Sequence, residues 1–335
     1  MSVRTRVVIV AIASLVIAVG CSAPDGGSEA RSSASEPVAM NDPAGALIWF
    51  VDGSSTWPPP TTVTTMERGV DTPFTPPGGP RSVDWDWSPD MAHAIWVQEL
   101  PDDPGALVRL GGIDGSDPVT IDTLRSSLDF RGRAFSNDGT RFAYAVFTAE
   151  GTDLRIVDVA APQPSTVVHW EDTDDVDVDW SPDGSQLVVG VASGGMRGGI
   201  FTMRPDGSDV ARISALHAWR VAWSPGGPFL AAGASETVGG VEGIYVMGAD
   251  GSDARRVSPA DIVEIGPAWS PDGAWLAFAS HRDQPATTPK DMRDQPQFGS
   301  GIYIMRPDGS DVRRIEPAPA DVGWGEVWTW LPAAP

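Results

Sequence analysis

One short motif recurs along this chain at near-constant spacing, and it commits the fold to repetition. The copies are Trp87-Ser88-Pro89-Asp90, Phe135-Ser136-Asn137-Asp138-Gly139, Trp180-Ser181-Pro182-Asp183-Gly184, Trp223-Ser224-Pro225-Gly226-Gly227 and Trp269-Ser270-Pro271-Asp272-Gly273. A degenerate copy, Trp330-Leu331-Pro332, lies near the end. The anchors are separated by 48, 45, 43, 46 and 61 residues. A period of roughly 40–45 residues is that of one four-stranded propeller blade.

Each repeat has the same internal order. The anchor aromatic ends an extended stretch, such as Val176-Asp177-Val178-Asp179-Trp180. A Pro-Asp-Gly turn follows, where Pro presets φ and Gly tolerates positive φ. A second apolar run begins seven residues past each anchor, at Ala94, Phe142, Leu187, Leu230 and Leu276. After a variable loop comes a third strand: Ile200-Phe201-Thr202-Met203, Ile244-Tyr245-Val246-Met247 and Ile302-Tyr303-Ile304-Met305. Asp-Gly-Ser-Asp turns follow at Asp206, Asp250 and Asp308, with another copy at Asp114. Asp-Gly between strands predicts a type I′ hairpin, with positive φ at both central residues. A fourth strand then closes the unit, as in Val312-Arg313-Arg314-Ile315.

The expected architecture is therefore all-β: a six-bladed β-propeller of four-stranded antiparallel blades. The end blade is closed by N- and C-terminal strands, which removes an open sheet edge. Val327-Trp328-Thr329-Trp330-Leu331 reads as that blade's first strand. Leu47 to Ser54 reads as its third strand and turn, leaving the second strand without a place.

The clearest repeat joins Trp269-Ser270-Pro271-Asp272-Gly273, Leu276-Ala277-Phe278-Ala279-Ser280, Arg282-Asp283, Ile302-Tyr303-Ile304-Met305 and Asp308-Gly309-Ser310. This pattern resembles the TolB-type, WD-repeat-like β-propeller family, in a lipoprotein form, over residues 46–335. The resemblance implies a periplasmic protein-binding scaffold. TolB carries an extra amino-terminal domain, whereas only a tether precedes the repeats here, so its particular role does not carry over. Related propellers occur fused to peptidases, and one acts as a metal-dependent pectate-type lyase. This chain has no Gly-x-Ser-x-Gly elbow.

The chain begins with a targeting segment. Arg4 and Arg6 precede an apolar run from Val7 to Gly20, too short to span a bilayer but suited to a secretory signal. Ala18-Val19-Gly20-Cys21 resembles a bacterial lipobox, and Cys21 is the sole cysteine. Residues 1–20 are thus read as a lipoprotein signal peptide. Residues 21–45, rich in Ser, Ala, Gly, Pro and Asp, are read as a disordered tether after lipidated Cys21. The expected location is the bacterial cell envelope, secreted across the cytoplasmic membrane and lipid-anchored to it. Loss of residues 1–20 removes two arginines and no acid, taking the net charge from −22 to −24. Such a balance argues against nucleic acid and against broad docking on anionic lipid. A monomer is expected.

Binding residues should lie on the face that carries the loops between second and third strands and between blades. The longest, His281 to Ser300, holds Arg282, Asp283, Lys290, Asp291, Arg293 and Asp294. It reads either as a partner-docking loop or as a solvated insertion. His169, His217 and His281 fall near that face on three blades, where three imidazoles could hold a divalent metal. Isolated surface histidines are the plainer alternative. Trp219 and Arg220 join His169, His217, His281, Arg282 and Asp283 as ligand- or partner-contacting candidates. Asp84, Asp86, Asp177 and Asp179 lie on innermost strands, where they could hold a cation or pair with Arg131, Arg133 and Arg220. No catalytic residue is assigned and no cofactor is required beyond such a cation.

The leading expectation is a protein- or peptide-binding propeller scaffold of the cell envelope. The alternative is a metal-dependent lyase- or hydrolase-like enzyme acting on a sugar or small molecule at the loop face.

Overall fold

A computed structural model describes residues 46–51, 62–65, 71–73, 82–101, 103–171, 173, 175–192, 198–280, 282, 301–315 and 325–331. The signal segment, Cys21 and the tether lie outside the described residues, as do His281, Asp283 and the rest of the 283–300 loop. Among the described residues no helix is long and apolar enough to cross a membrane.

The chain opens with β1 (Ala46–Val51), β2 (Thr62–Thr65) and β3 (Asp71–Pro73). Four strands then build each of five further blades. Blade II is β4 (Ser82–Trp87), β5 (His93–Glu99), β6 (Ala106–Gly112) and β7 (Val119–Leu124). Blade III is β8 (Phe130–Phe135), β9 (Arg141–Phe147), β10 (Gly151–Asp158) and β11 (Ala161–Glu171). Blade IV is β12 (Val176–Trp180), β13 (Leu187–Val191), β14 (Gly199–Met203) and β15 (Ala211–Ser214). Blade V is β16 (His217–Trp223), β17 (Phe229–Ser235), β18 (Gly243–Gly248) and β19 (Arg255–Arg256). Blade VI is β20 (Glu264–Trp269), β21 (Leu276–Ser280), β22 (Gly301–Met305) and β23 (Arg313–Arg314). The last strand, β24 (Gly325–Leu331), returns to pair antiparallel with β1 in a sheet of order β24-β1-β2-β3.

This pairing corrects the reading of Leu47 onward as a third strand. β1 is the second strand of blade I, with Ala46 opposite Leu331 on one side and Thr65 on the other. The segment is strand-like and apolar, as second and third strands both are, so composition alone could not rank it. The third and fourth places go to β2 and β3.

Burial follows position within the blade. The second strands β13 and β21 are buried at every residue. Each blade packs face to face against two neighbours, so both sides of its middle strands are covered and the period-2 alternation disappears. The outermost strands β11, β15 and β19 contain no buried residue. The core is accordingly a series of clusters between blades. One sets Ile95, Val97 and Val108 of blade II against Phe130, Phe142 and Tyr144 of blade III. Another sets Val188 and Ile200 of blade IV against Trp223, Leu230 and Tyr245 of blade V.

The anchor motif is a hydrogen-bonded blade joint. Trp180 Nε1 donates to Ala134 O of the preceding blade at 3.0 Å, and Trp269 Nε1 donates to Ala222 O at 3.1 Å. In the turn, Ser181 Oγ donates to Asp183 at 2.7 Å while accepting from Gln186 N at 2.9 Å. The same unit recurs at Ser88, Ser136 and Ser270. Phe135 lacks an indole N–H but packs on Phe142 with ring centroids 4.7 Å apart.

The Asp-Gly-Ser-Asp turns differ from the type I′ expectation. Gly207 has φ +81° and Asp209 φ +55°, whereas Asp206 is not among the residues of positive φ. Gly207 N donates to Arg204 O, and Arg204 N donates to Ser208 O. That is a three-residue hairpin loop, a type I turn closed by a glycine bulge. A Cβ on Gly207 would lie 2.3 Å from Val167 O of blade III. The glycine is thus demanded both by φ and by seating on the neighbouring blade.

Candidate functional site

The first strands β4, β8, β12, β16 and β20 line the central channel with an inner edge that has no strand beside it. Their inward N–H and C=O groups need other partners. Side chains from the adjoining blade supply them. Asp177 Oδ2 accepts from Val221 N at 2.9 Å, and Asp179 Oδ2 accepts from Trp223 N at 2.7 Å. Asp179 Oδ1 also accepts from Trp180 N at 2.8 Å. In the opposite sense, Arg133 Nη2 donates to Trp85 O at 3.1 Å.

The expected pairing with arginine is realised at Asp84 and Asp177. Arg133 lies 3.4 Å from Asp84, and Arg220 lies 3.3 Å from Asp177. The Arg131 guanidinium donates to Leu128 O and sits 5.9 Å from the Phe147 ring. Bulges interrupt the pairing of β4, β8, β16 and β20 near these positions, and they re-aim the inner side chains. Burial pushes Asp86 up to about 6 against the opposing charge of Arg133. Burial pushes Asp179 up to about 7, with Asp177 and Asp86 adding to the rise and two backbone N–H donors opposing it. The channel is thus a stitched polar seam between blades. Among the described residues, no three His, Cys, Asp or Glu side chains come together as metal ligands.

The two described candidate histidines are engaged separately. His169 is on the outermost strand of blade III, with Nδ1 2.8 Å from Asp153 Oδ1. Asp153 also holds Arg155, which bridges to Asp122 of blade II, itself bonded to Tyr144. His217 opens the innermost strand of blade V, is buried, and points Nδ1 at Ala192 O of blade IV, 3.2 Å away. Trp219 is half-buried at the bulge of β16, beside Arg220.

At the loop-face end of the channel sits Glu264, with no exposed surface. Its Oε1 accepts from Ser280 Oγ at 2.9 Å and from Arg282 Nε at 3.1 Å. The Arg282 guanidinium also lies 4.8 Å from the Tyr303 ring. This pair fixes the stem from which the 283–300 segment departs.

Sequence reasoning overlooked Glu264, Arg212 and Arg256. A signal was present. Gly199-Ile200-Phe201, Gly243-Ile244-Tyr245 and Gly301-Ile302-Tyr303 each have arginine eleven residues beyond the aromatic: Arg212, Arg256 and Arg314. Register sets each arginine opposite its aromatic across the third and fourth strands. A Cβ on Gly199 would lie 2.6 Å from Arg212 Nε, and one on Gly243 would lie 2.5 Å from the Arg256 guanidinium. The glycines leave room for the arginines to cross toward the loop face.

No family model matches the chain. A 66-residue stretch, 20% of this chain, is 35% identical to the Tol-Pal system protein TolB of Syntrophus aciditrophicus and spans 12% of that protein. The fold is similar to the crystal structure of TolB from Acinetobacter baumannii, with TM-score 0.63 and 16% identity over 86% of this chain and 67% of that one. It is also similar to a putative TolB from Agrobacterium tumefaciens, with TM-score 0.55 and 18% identity over 74% of this chain and 90% of that one.

Proposed function

We propose that this TolB-type β-propeller is a protein- or peptide-binding scaffold of the bacterial cell envelope, carried on a lipid anchor at Cys21 and presenting its loop face to a partner. The observation that carries the reading is the division of labour between the two faces. The repeated motifs are engaged at the turn face in self-contained hydrogen bonds and in seating one blade on the next. The side chains that vary from blade to blade, His217, Trp219, Glu264 and Arg282, gather at the loop end. The likeness to TolB, a component of the Tol-Pal system by its name, supports the same class of role.

Chain direction adds an orientation. First strands run from the loop face to the anchor turns, so β24 ends at the turn face, where Ala46 of β1 pairs with Leu331. A tether leading to Ala46 would enter at the turn face. The loop face would then point away from the membrane.

Two measurements test this. Palmitate labelling of the expressed chain should disappear with Cys21→Ala, releasing the protein from the membrane fraction; an unlabelled wild type sinks the anchor. Immobilised mature protein should capture a discrete envelope protein that a form lacking residues 283–298 no longer holds. Equal capture by both forms moves the docking surface off that loop.

A further inference from the structure

The loops between second and third strands are not built alike. In blade III the connection is a tight turn, with Thr148 N donating to Gly151 O at 2.7 Å. In blade II, Leu100 N reaches Gly105 O directly. In blades IV to VI, polar side chains hold the loop stems. Arg212 Nη2 donates to Gly198 O at 2.5 Å, and His217 holds Ala192 O on the other flank of that loop.

Blade V carries the fullest version. Arg256 Nε donates to Ser258 Oγ at 3.2 Å, Nη1 to Val241 O at 3.3 Å, and Nη2 to Glu242 O at 3.3 Å and Pro259 O at 2.8 Å. One guanidinium therefore ties the loop after β17 to the connection leading into β20. Ser258 Oγ in turn accepts from Ile244 N at 2.9 Å, and Glu264 N donates to Glu242 O. These bonds join two loops of blade V into one surface. At its apex Val238 is 64% exposed, the most exposed of the large hydrophobic residues among those described. Gly239 beside it has φ +71°. Glu236 and Asp261 are exposed on the same two segments, and the positive charge of Arg256 is directed at carbonyls.

We propose that residues 236–242 and 257–263 form a single docking platform, pre-ordered by Arg256, for a protein surface that offers an apolar pocket to Val238 and lysine or arginine to the acids around it. This deepens the scaffold reading above and rests on it. An exposed valine accompanied by two exposed carboxylates suits neither a phosphate backbone nor an anionic lipid surface. Ordering before contact matters because each loop side chain frozen at binding costs affinity.

The test uses the full mature chain and three substitutions. Arg256→Met should raise amide exchange across 236–242 and 257–263 at least tenfold, with blades II and III unaffected; unchanged exchange there overturns the clamp. Val238→p-benzoylphenylalanine should yield one discrete photo-adduct in envelope extract, weakened by added salt and lost when Arg256→Met is combined with it. An adduct that persists at full yield in the combined variant overturns the pre-ordering role. Val238→Asp, on the surface, should leave the melting temperature unchanged and abolish capture; retained capture removes Val238 from the interface. If the wild type captures nothing at any loop-face probe while Arg256→Met still loosens the loops, the scaffold reading fails and the clamp stands.

Discussion

Acidification from pH 8 to pH 5 should stabilise this protein, and two channel aspartates should account for the slope. Asp86 and Asp179 are half-buried on the innermost strands of blades II and IV. Their carboxyls titrate near 6 and near 7 in the fold, against an ordinary value of 3.8. A carboxyl raised by folding holds its proton longer in the native state, so stability is fully present below the unfolded pKa and is lost as pH rises through the folded one. A tenfold change in proton affinity between the folded and unfolded chain is worth about 1.4 kcal/mol. Between pH 8 and pH 5 Asp179 should contribute about 3 kcal/mol and Asp86 about 1 kcal/mol, and the coupling between them makes the sum an upper bound. For a chain of this size that is a rise in Tm of roughly 6–8 °C, at about 2 °C per kcal/mol. Below pH 4 the trend should reverse. Hydrogen bonds from Ser136 hold Asp138 down to about 2, and those from Ser185 hold Asp183 down to about 2. Stability from these turns is present above the unfolded pKa and is lost as pH falls toward 2. The assay is urea unfolding followed by tryptophan fluorescence at pH 3, 5, 6, 7 and 8 at fixed ionic strength. Relief of the net charge of −22 also favours lower pH, so the control is Asp86→Asn with Asp179→Asn, which should flatten the upper limb. A double variant with the wild-type slope, or a wild type whose stability falls between pH 8 and pH 5, would refute the burial argument.

Three other expectations follow from the packing. Gly207→Ala should cost about 2–4 kcal/mol, since it adds a carbonyl clash to a left-handed φ, while Gly273→Ala, whose nearest neighbour is 4.0 Å away, should cost only about 1–2 kcal/mol for φ. Equal urea midpoints for the two would show that the hairpin does not seat on blade III. Trp180→Phe should lose about 1–2 kcal/mol with the indole bond to Ala134 O, and an unchanged midpoint would remove that bond from the joint. Arg155→Gln should strip the shared cation from Asp122 and Asp153 and destabilise by about 1–3 kcal/mol at pH 7, with the loss shrinking only below pH 3.8, as Asp153, held low against burial by His169 and Arg155, takes up its proton. A loss independent of pH would mean packing rather than charge.

Much of the blade is legible in the sequence because it depends on short-range chemistry. Trp180 through Gly184 encode an anchor and a turn, and Leu187 through Val191 encode a fully covered strand. The Asp-Gly-Ser-Asp motif places the hairpins correctly, yet not their turn type. Asp206 keeps an ordinary φ, as do Asp114 and Asp250, which no proline precedes; each loop is three residues long and puts its glycine at the left-handed position. Blade I is only half legible for a different reason. Leu47 to Val51 suits either middle position, and only its pairing with Gly325 to Leu331, almost the whole chain away, ranks it second.

The site is far less legible, and the cause is distance along the chain. Asp179 has the chemistry of a cation ligand, but its oxygens are taken by the backbone N–H groups of Trp180 and Trp223, an edge that exists only once blade V stands beside blade IV. His169 and His217 look like members of one set in the sequence, but one belongs to an outer strand and the other to a channel strand. Glu264 and Arg256 are inconspicuous there, since a buried glutamate under Arg282 and an arginine crossing Gly243 take meaning only from neighbours that folding brings. Periodicity and turn residues by themselves determined the repeat, because each acts within a few residues of itself. Which charges meet, and which loops are held still, only the tertiary structure decided, because blade-to-blade packing joins residues 40 or more positions apart, as from Ala134 to Trp180.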